Sequence, residues 1–313
     1  MTLSLSVTAI RDETDHIRVF ELTASDGSAL PAYTAGAHLV FDLGETGTRS
    51  YSLIDWPGEN DAKTYTIAVQ REDAGDGGSR QMHRLRVGDV VKAQAPKNDF
   101  ELRDHGGPAL LLAGGIGVTP MISMATELQK AGRAYRFVYS ARSAQVMGFG
   151  KALKGAFEDI ALHHDDTNPL DLTALMSTLG ADTHVYICGP KGMIDAARAA
   201  AIQAGMSEDQ IHIELFTSAA VADGDTAFEV EIHDTGEVYM IPPGKTIIEV
   251  LEGAGLDLMY DCQRGDCGIC QTDVIAGTPD HRDVVLSDAE RAAGEVMQIC
   301  VSRSKTPRLV LDL

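Results

Sequence analysis

The sequence predicts a multidomain protein with an antiparallel six-stranded β-barrel first, a doubly wound α/β parallel sheet second and a small C-terminal β-grasp domain last. Short alternating apolar segments, separated by turn residues, fill the first hundred positions, as in barrels. Near residue 108 the pattern changes to strand–helix alternation, which is typical of parallel sheets. We therefore place the domains at residues 1–105, 106–217 and 227–313, with a linker at 218–226.

The barrel is predicted from six short segments that are bounded by glycine, proline and aspartate. This pattern favours antiparallel strands joined by turns over alternating βα units. The only helix predicted in this region is a short one at Ser79–Leu85. The predicted strands are Leu3–Ile10, Ile17–Leu22, His38–Leu43, Ser50–Ile54, Tyr65–Gln70 and Val90–Ala95.

The fourth predicted strand carries polar groups that suit a flat, charged ligand. Arg49 and Tyr51 share one face of this strand because side chains alternate, while Ser50 and Ser52 share the other. A guanidinium can clamp a phosphate, and a tyrosine ring can lie against a planar group. The motif is short, so an ordinary strand with the same residues is the alternative.

A glycine-rich turn follows the fifth predicted strand. Gly75-Asp76-Gly77-Gly78-Ser79 precedes the short helix, with Ser79 as the predicted N-cap. Backbone N–H groups at such a turn attract an anion, which indicates a phosphate site. A capped surface helix after a flexible turn explains the same residues equally well.

The middle domain presents glycines at two strand ends. The apolar run Ala109–Ala113 predicts a strand buried on both faces, followed by Gly114-Gly115-Ile116-Gly117 and a helix to Lys130. Cys188-Gly189-Pro190 ends a later strand. Ligands bind at the carboxyl ends of parallel strands, so a pyrophosphate site is predicted here, although the dinucleotide fingerprint is met only in part. The remaining elements predicted are strands at Tyr135–Ser140, Ile160–His163, His184–Cys188 and Ile211–Phe216 and a helix at Lys191–Gln203.

Four of the five cysteines form one pattern near the C-terminus. Cys262, Cys267 and Cys270 have C-x4-C-x2-C spacing, and Cys300 lies thirty residues further on. This is the plant-type [2Fe–2S] spacing, in which a tight loop wraps the cluster and a distant cysteine completes it. Zinc sites more often have paired C-x2-C knuckles or histidines at ligand spacing. Disulfides would need an oxidising compartment and would strain so short a loop.

Composition excludes several classes of function. The formal net charge of −20 argues against nucleic acid and against anionic membranes. No apolar run approaches the roughly 20 residues that span a bilayer, and no signal peptide pattern is present, so we expect a cytoplasmic protein. From Ala227 onward the chain carries 16 acidic and 7 basic residues. This acidic surface either attracts a basic protein partner or serves solubility alone.

Taken in order, these motifs resemble the phthalate dioxygenase reductase family, the reductase components of Rieske oxygenases and of O-demethylases such as vanillate demethylase. The resemblance covers essentially the whole chain, from R-x-Y-S through the glycine turns to C-x4-C-x2-C…C. It implies an FMN-binding barrel, an NAD(H)-binding α/β domain and a plant-type ferredoxin domain. It also implies that electrons pass from NADH through FMN and a [2Fe–2S] cluster to an oxygenase partner. No segment adds an adenine shelf to the barrel, which favours FMN over FAD.

The resemblance also implies roles for individual residues. Among them, Ser52 would hydrogen-bond near flavin N5, Phe216 would cover the flavin ring, and Cys188 would lie beside the nicotinamide; we expect these three to take part in catalysis. The implied sites are flavin contacts from Arg49, Ser50, Tyr51, Ser52, Ala68, Val69, Gln70, Thr119 and Phe216, FMN phosphate contacts from Gly77, Gly78 and Ser79, nucleotide contacts from Gly114, Gly115, Gly117, Cys188, Gly189 and Pro190, and cluster ligation by Cys262, Cys267, Cys270 and Cys300.

Two features of the sequence disagree about whether the protein uses NADH or NADPH. Arg142 follows the second strand of the middle domain, where an acid favours NADH and an arginine can bind the 2′-phosphate of NADPH. The family resemblance favours NADH, which is our prediction. Arg142 is included among the nucleotide contacts.

The last domain is predicted to hang on a flexible tether. Residues 217–226 are small and polar, which would let this domain face the flavin and then a partner. A hairpin is predicted from Phe228–His233 and Glu237–Ile241, and a helix at Thr246–Ala254. For Asp280-His281-Arg282-Asp283 we expect only turn and surface contacts.

Three other functions fit the same sequence. The chain could serve a cytochrome P450 or another non-Rieske oxygenase as its reductase. From a different class, it could be a one-electron carrier or redox sensor whose first two domains only bind ligand. A plain flavin reductase is the third, although that enzyme has no need of a cluster.

Overall fold

The computed structural model describes residues 1–58, 63–216 and 224–313. It divides into two compact units, Met1–Glu214 and Leu215–Leu313. Of the predicted linker at 218–226, only residues 224–226 belong to the described part. Within the described ranges, no helix combines the length and apolarity that crossing a bilayer requires.

The first sheet is the predicted antiparallel barrel. Its strands lie in the order β4-β3-β6-β1-β2-β5, and a bridge between Leu53 and Ile67 joins the two ends of that order. Phe20, Leu39 and Phe41 are fully buried in its core. The strands are β1 (Thr2–Asp12), β2 (Ile17–Ala24), β3 (His38–Asp42), β4 (Thr48–Ser52), β5 (Tyr65–Gln70) and β6 (Val90–Gln94).

The short helix of the barrel differs from the prediction. Helix α1 spans Gly78–Met82, and its N-cap is Gly77 in a left-handed conformation, with φ of 94°. Ser79 does not cap it, because the Ser79 hydroxyl instead accepts a hydrogen bond from the Glu72 N–H at 3.0 Å. The predicted N-cap was therefore wrong by two residues, and the predicted helix started one residue and ended three residues too late.

The second sheet is parallel, as its apolar runs predict. Its strands lie in the order β11-β10-β7-β8-β9. Strand β7 is buried at every position, and the order of connection reverses beside it, which marks a topological switch point. The elements are β7 (Ala109–Gly114), α2 (Val118–Lys130), β8 (Tyr135–Ala141), α3 (Gly150–Ala156), β9 (Ile160–His164), α4 (Leu172–Ser177), β10 (His184–Cys188), α5 (Lys191–Gln203) and β11 (Ile211–Glu214).

Helix α2 fastens the parallel sheet to the barrel within the first unit. The Ser123 hydroxyl donates to the Leu53 carbonyl at 2.8 Å and accepts from the Asp55 N–H at 2.9 Å. Thr126 donates to the Asp55 carbonyl at 2.8 Å. These bonds hold the chain directly after β4, so the end of the predicted flavin strand has a fixed position relative to α2.

The second unit is the predicted β-grasp. Its five-stranded sheet has the order β13-β12-β18-β14-β16, with β12 parallel to β18 and the other neighbours antiparallel. Helix α6 starts at a capping box, in which Thr246 and Glu249 each bind the other's backbone N–H. The elements are β12 (Phe228–Ile232), β13 (Val238–Ile241), α6 (Ile247–Gly253), β14 (Gln271–Ala276), β15 (Pro279–Asp280), α7 (Asp288–Ala293), β16 (Val296–Gln298), β17 (Arg303–Ser304) and β18 (Arg308–Leu311).

Candidate functional site

The cysteine loop is brought to Cys300 by one strand pair. In the antiparallel pair β14–β16, Gln271 is the register partner of Gln298. Cys270 precedes the first of these residues and Cys300 follows the second, so the pairing carries the distant cysteine to the loop. The Ile299 N–H also donates to the Cys270 carbonyl at 3.3 Å.

The four predicted ligands converge. The Cys262 thiol interacts with the thiols of Cys267 and Cys300, and the Cys270 thiol interacts with that of Cys300. These contacts, with Cys267 first, lower the pKa of Cys262. All four are free thiols, which is what a metal or cluster needs from its ligands.

Two glycines of the loop are required by its conformation. Gly265 and Gly268 have φ of 84° and 79°, where side chains are disfavoured. A Cβ at Gly265 would also lie 2.7 Å from Val301 Cγ2 and 3.0 Å from the Asp283 Cα. The loop therefore needs glycine for close packing as well as for turning.

The segment Asp280–Asp283 is partly buried in the second unit and makes specific contacts there. The prediction of only turn and surface contacts was therefore wrong. The Asp283 side chain is buried and accepts from the N–H groups of Val285 and Leu286 at 3.1 and 2.9 Å. Arg282 pairs with Asp225 and Asp280 in contacts of 2.5 and 2.9 Å. Because the Val284 N–H donates to the Gly265 carbonyl at 2.9 Å, this segment supports the cysteine loop.

Asp266 is a further loop residue that sequence reasoning missed. Its carboxylate accepts from the Leu215 N–H at 3.0 Å and from Arg264 Nε at 3.3 Å. Burial, the largest effect, raises the pKa of Asp266 to about 7. Its place between two cysteines was the available signal, but its burial depends on tertiary packing.

In the barrel, the arginine of R-x-Y-S meets the glycine turn. A Cβ at Gly78 would lie 2.7 Å from both Cγ and Nε of Arg49, so only glycine permits this approach. The Arg49 guanidinium is 3.7 Å from the Asp76 carboxylate of the same turn. A guanidinium beside a glycine turn is a suitable cradle for a phosphate group.

Ser52 ends β4 with a buried hydroxyl. The residue is 3% exposed, and its Oγ has no hydrogen-bond partner among the described residues. Buried polar atoms are normally satisfied, so an orphaned hydroxyl at a predicted ligand contact fits a bound group. Tyr51 packs on Phe41 with ring centroids 5.7 Å apart, and burial raises the pKa of Tyr51 to about 12.

The predicted flavin and nucleotide segments lie side by side. The turn Gly115–Gly117 contacts β5, the strand that carries Ala68, Val69 and Gln70. Thr119, in the first turn of α2, is 1% exposed and donates to the Ile116 carbonyl at 3.0 Å. The first unit thus brings together residues that are separated by fifty positions in sequence.

The two glycine-bearing strand ends pack against each other. A Cβ at Gly117 would lie 2.3 Å from the Cys188 carbonyl oxygen, and one at Gly189 would lie 2.9 Å from the Gly114 Cα. At Gly114 a Cβ would lie 2.8 Å from Pro190 Cδ. Glycine is therefore needed at all three positions for the close approach of β7 and β10.

Glu214 is a second residue that sequence reasoning missed. It is the register partner of Cys188 across β10 and β11, and its carboxylate lies 3.9 Å from the Cys188 Sγ. The residues are 3% and 0% exposed. A glutamate at the end of a short apolar strand was a visible signal, but its partner comes from strand register.

Arg142 and Phe216 are the remaining predicted contacts. Arg142 is exposed and directly follows β8. Two residues earlier, the Ser140 hydroxyl lies 3.3 Å from the Asp165 carboxylate. Phe216 belongs to the second unit and is 39% exposed. Their predicted contacts with a nucleotide and with a flavin ring stay predictions.

A cavity lies elsewhere in the first unit. Its volume is about 1300 Å³, and Tyr33, Trp56, Tyr65, Ser123 and Glu127 are among its lining residues. It includes none of the residues predicted to contact flavin or nucleotide. Sequence reasoning gave no indication of this cavity, because its walls combine residues of barrel strands, of barrel loops and of α2.

Comparison with known proteins identifies the second unit. The family model described as a 2Fe-2S iron-sulfur cluster binding domain matches residues 230–305. All four converging cysteines lie within that range.

Nearly the whole chain is similar to two named proteins. It is 38% identical to a phenoxybenzoate dioxygenase subunit beta of Ectopseudomonas oleovorans, over 99% of this chain and 97% of the relative. It is also 38% identical to a vanillate O-demethylase oxidoreductase of a Pseudomonas species, over 99% of this chain and all of the relative.

Solved structures agree along the full length. Phthalate dioxygenase reductase matches with a TM-score of 0.74 and 34% identity, over the whole of this chain and 98% of that chain. Full-length CYP116B46 from Tepidiphilus thermophilus matches with a TM-score of 0.78 and 34% identity, but this chain spans only 42% of that protein.

Proposed function

The chain belongs to the phthalate dioxygenase reductase-like family, and we propose that it carries electrons from NADH through FMN and a [2Fe–2S] cluster to a Rieske-type oxygenase. The observation that carries this proposal is the convergence of four free thiols inside the matched domain of a chain that is similar to reductases over its whole length. When bound, the pyridine nucleotide supplies electron pairs, the flavin divides them, and the cluster accepts single electrons.

The cluster would be held by Cys262, Cys267, Cys270 and Cys300. Three of these cysteines lie in one loop, and Cys300 follows β16. The Arg264 N–H donates a hydrogen bond to the Cys262 Sγ at 3.3 Å. Such N–H groups stabilise negative charge on ligand sulfurs. Asp283 holds the neighbouring segment in place through its hydrogen bonds with the Val285 and Leu286 N–H groups.

The flavin would lie along β4 and β5. Arg49 and the turn at Gly77 and Gly78 would bind its phosphate, and Ser52 would direct its free hydroxyl to the ring. Tyr51, Ala68, Val69, Gln70 and Thr119 would line the ring, and Phe216 would cover it. A single phosphate cradle supports FMN in preference to FAD, because residues 1–58 and 63–105 of the barrel domain include no second segment that we expect to hold an adenosine group.

The nicotinamide nucleotide would enter at the carboxyl ends of β7 and β10. Gly114, Gly115 and Gly117 leave the backbone open to a pyrophosphate, and Gly189 and Pro190 frame the opposite wall. Cys188 and Glu214 are buried beneath this crevice. They would position the ring edge and exclude water, and the reaction needs no general base from the protein.

We retain the domain limits of 1–105, 106–217 and 227–313, with a linker at 218–226, of which residues 218–223 lie outside the described part of the chain. A cytoplasmic location is part of the same proposal, and it is supported by five cysteines without a disulfide.

An anaerobic titration tests the relay. Purified protein is analysed for iron and extracted flavin, and its visible spectrum is recorded before and after one equivalent of NADH. The proposal expects two irons and one FMN per chain, with loss of absorbance in both flavin and iron–sulfur bands. A protein with zinc in place of iron, or one that NADH leaves unchanged, would contradict it.

A cytochrome P450 is the second candidate partner, and the match of this whole chain to 42% of CYP116B46 favours it. Reconstitution separates the two partners. The chain is mixed with NADH and either a purified Rieske oxygenase or a purified P450, and the rate at which each partner is reduced is compared. Faster reduction of the P450 would replace the Rieske assignment and leave the electron relay intact.

A further inference from the structure

Gln298 is a buried polar side chain beside a cluster ligand. The residue is 0% exposed and occupies the last position of β16, two residues before Cys300. Its amide oxygen lies 3.4 Å from the Cys270 Sγ, where the thiol acts as the donor. Its amide nitrogen donates to the Gln271 side-chain oxygen at 3.2 Å.

This arrangement suits a protonated thiol only. A cysteine that binds iron is a thiolate, which accepts hydrogen bonds and cannot donate one. An amide oxygen facing that sulfur would be repelled, and burial would leave this oxygen without a hydrogen-bond donor. The loaded site therefore requires a different orientation of the Gln298 amide.

A half-turn of the amide supplies that orientation. Oxygen and nitrogen of a carboxamide exchange places with almost no change of shape. The Gln298 NH2 group then faces the Cys270 sulfur, and its oxygen faces Gln271. Because the Gln271 side chain is exposed, it can make the same half-turn and donate its own NH2 group to Gln298.

We propose that, in the loaded protein, Gln298 donates an N–H···S hydrogen bond to Cys270 and thereby raises the reduction potential of the cluster. Hydrogen bonds to cluster sulfurs withdraw negative charge and favour the reduced form. This inference rests on the proposed function, specifically on Cys270 as a ligand. Gln298 is a positioning residue, since it acts through the sulfur and touches no substrate.

Gln298 and Gln271 differ in exposure, which explains how the buried Gln298 amide can change its orientation. Gln298 is fully buried at the end of β16, whereas Gln271 at the start of β14 is exposed to water. Only the outer amide changes its solvation when the pair turns. The cost of reorientation therefore falls on a residue that water can satisfy.

The test compares full-length Gln298→Met, which keeps the length and removes the donor, with Thr272→Val. Thr272 is also buried beside Cys270, but its hydroxyl contacts the Cys270 carbonyl at 3.4 Å and not the sulfur. Iron content is measured first, and the cluster potential is then followed by electron paramagnetic resonance during a redox titration. That signal separates the reduced cluster from the flavin.

The expected result is two irons in each protein, a more negative cluster potential in Gln298→Met, and the original potential in Thr272→Val. An unchanged potential in Gln298→Met, or an equal shift in both variants, would overturn the inference. Absence of iron from the unaltered protein would instead overturn the proposed function.

A second variant with a shorter amide keeps the inference testable if Gln298→Met does not fold. Gln298→Asn keeps a polar group but withdraws the donor by one methylene, so its potential should also fall below that of the unaltered protein. Loss of iron from both Gln298 variants would assign this residue to folding and overturn its redox role.

Discussion

Arg49 packs against Gly78 so closely that a Cβ at Gly78 would lie 2.7 Å from the Arg49 Cγ and Nε atoms. The two residues come from a strand and a turn that are almost thirty positions apart in sequence. Their contact converts two weak motifs into one candidate phosphate site. It also makes the site sensitive to a single methyl group.

We expect Gly78→Ala to weaken flavin binding about tenfold or more, because displacing Arg49 costs part of a charge-assisted hydrogen bond to phosphate. The φ of Gly78 is not in the left-handed region, so the effect is steric. Flavin affinity is measured by fluorescence during titration of the flavin-free protein. Gly75→Ala is the matched control, since its Cβ would meet only ordinary contacts from 3.4 Å. Equal affinity in the two variants would remove the phosphate cradle from the proposal.

Removing the Ser52 hydroxyl should have different effects on the stability of the flavin-free protein and on flavin reduction. We expect Ser52→Ala to leave the flavin-free protein as stable as before or about 1 kcal/mol more stable, since the Oγ has no partner among described residues. With flavin bound, reduction by NADH should slow, measured by stopped-flow absorbance. Thr48→Ala changes an exposed residue of the same strand that is not among the predicted flavin contacts, so it should affect neither property. A destabilised flavin-free protein with normal reduction would show that Ser52 is structural.

Local patterns predicted the elements well and the contacts between them less well. The alanine-rich helix begins and ends as predicted, at Lys191 and Gln203, because its limits are set within its own sequence. The glycines of β7 and the Cys188 turn were predicted to share a crevice because parallel strands expose their carboxyl ends together. Ser79 was misplaced as a cap because the Glu72 N–H, from the preceding turn, competes for its hydroxyl.

Residues whose role depends on register or burial were beyond the sequence patterns. Glu214 meets Cys188 only through the pairing of β10 with β11. Asp283 looks like one charge in a surface run, yet packing around Gly265 buries it. Gln298 has no motif of its own, and its position beside Cys270 comes from the β14–β16 pair.

Three histidines stack at the amino ends of the parallel strands. His105 and His184 have ring centroids 3.6 Å apart, and His184 Nδ1 lies 2.9 Å from His212 Nε2. Burial is the largest cause that lowers the pKa of each ring, for His212 to about 4. The charged groups that face the stack are Arg103, Arg133, Asp104, Asp182 and Asp209.

This stack predicts loss of stability in acid. Since the unfolded chain binds protons at higher pH than the folded His212 does, the free energy of unfolding should rise with pH between about 4 and 6.5. We expect His212→Gln to remove about 2 kcal/mol of that dependence, after allowance for solvent screening. Denaturation is followed by fluorescence of Trp56, the single tryptophan, which packs on Phe149 and Phe157 of the same unit. His16→Gln, at an exposed turn, is the control; an identical pH slope in all three proteins would refute the prediction.

Asp283 predicts how firmly the cluster loop is held. Its buried carboxylate accepts from two backbone N–H groups and from Arg291 Nη2 at 3.3 Å, and its Cα packs on Gly265. Removing one partner of a buried ionic network commonly costs about 3 kcal/mol, since the remaining groups lose their acceptor. In Asp283→Ala we therefore expect the loop to open more often and iron to be lost to a chelator at least about tenfold faster.

The control for that experiment is Asp273→Asn, which changes an exposed aspartate of β14. Iron release is followed by the colour of the chelate, and cluster absorbance is followed in parallel. If the carboxylate only adds surface charge, both variants will lose iron at the same rate. Faster loss confined to Asp283→Ala would mean that the loop is held by a residue that never touches sulfur, so that ligand spacing alone does not make the site.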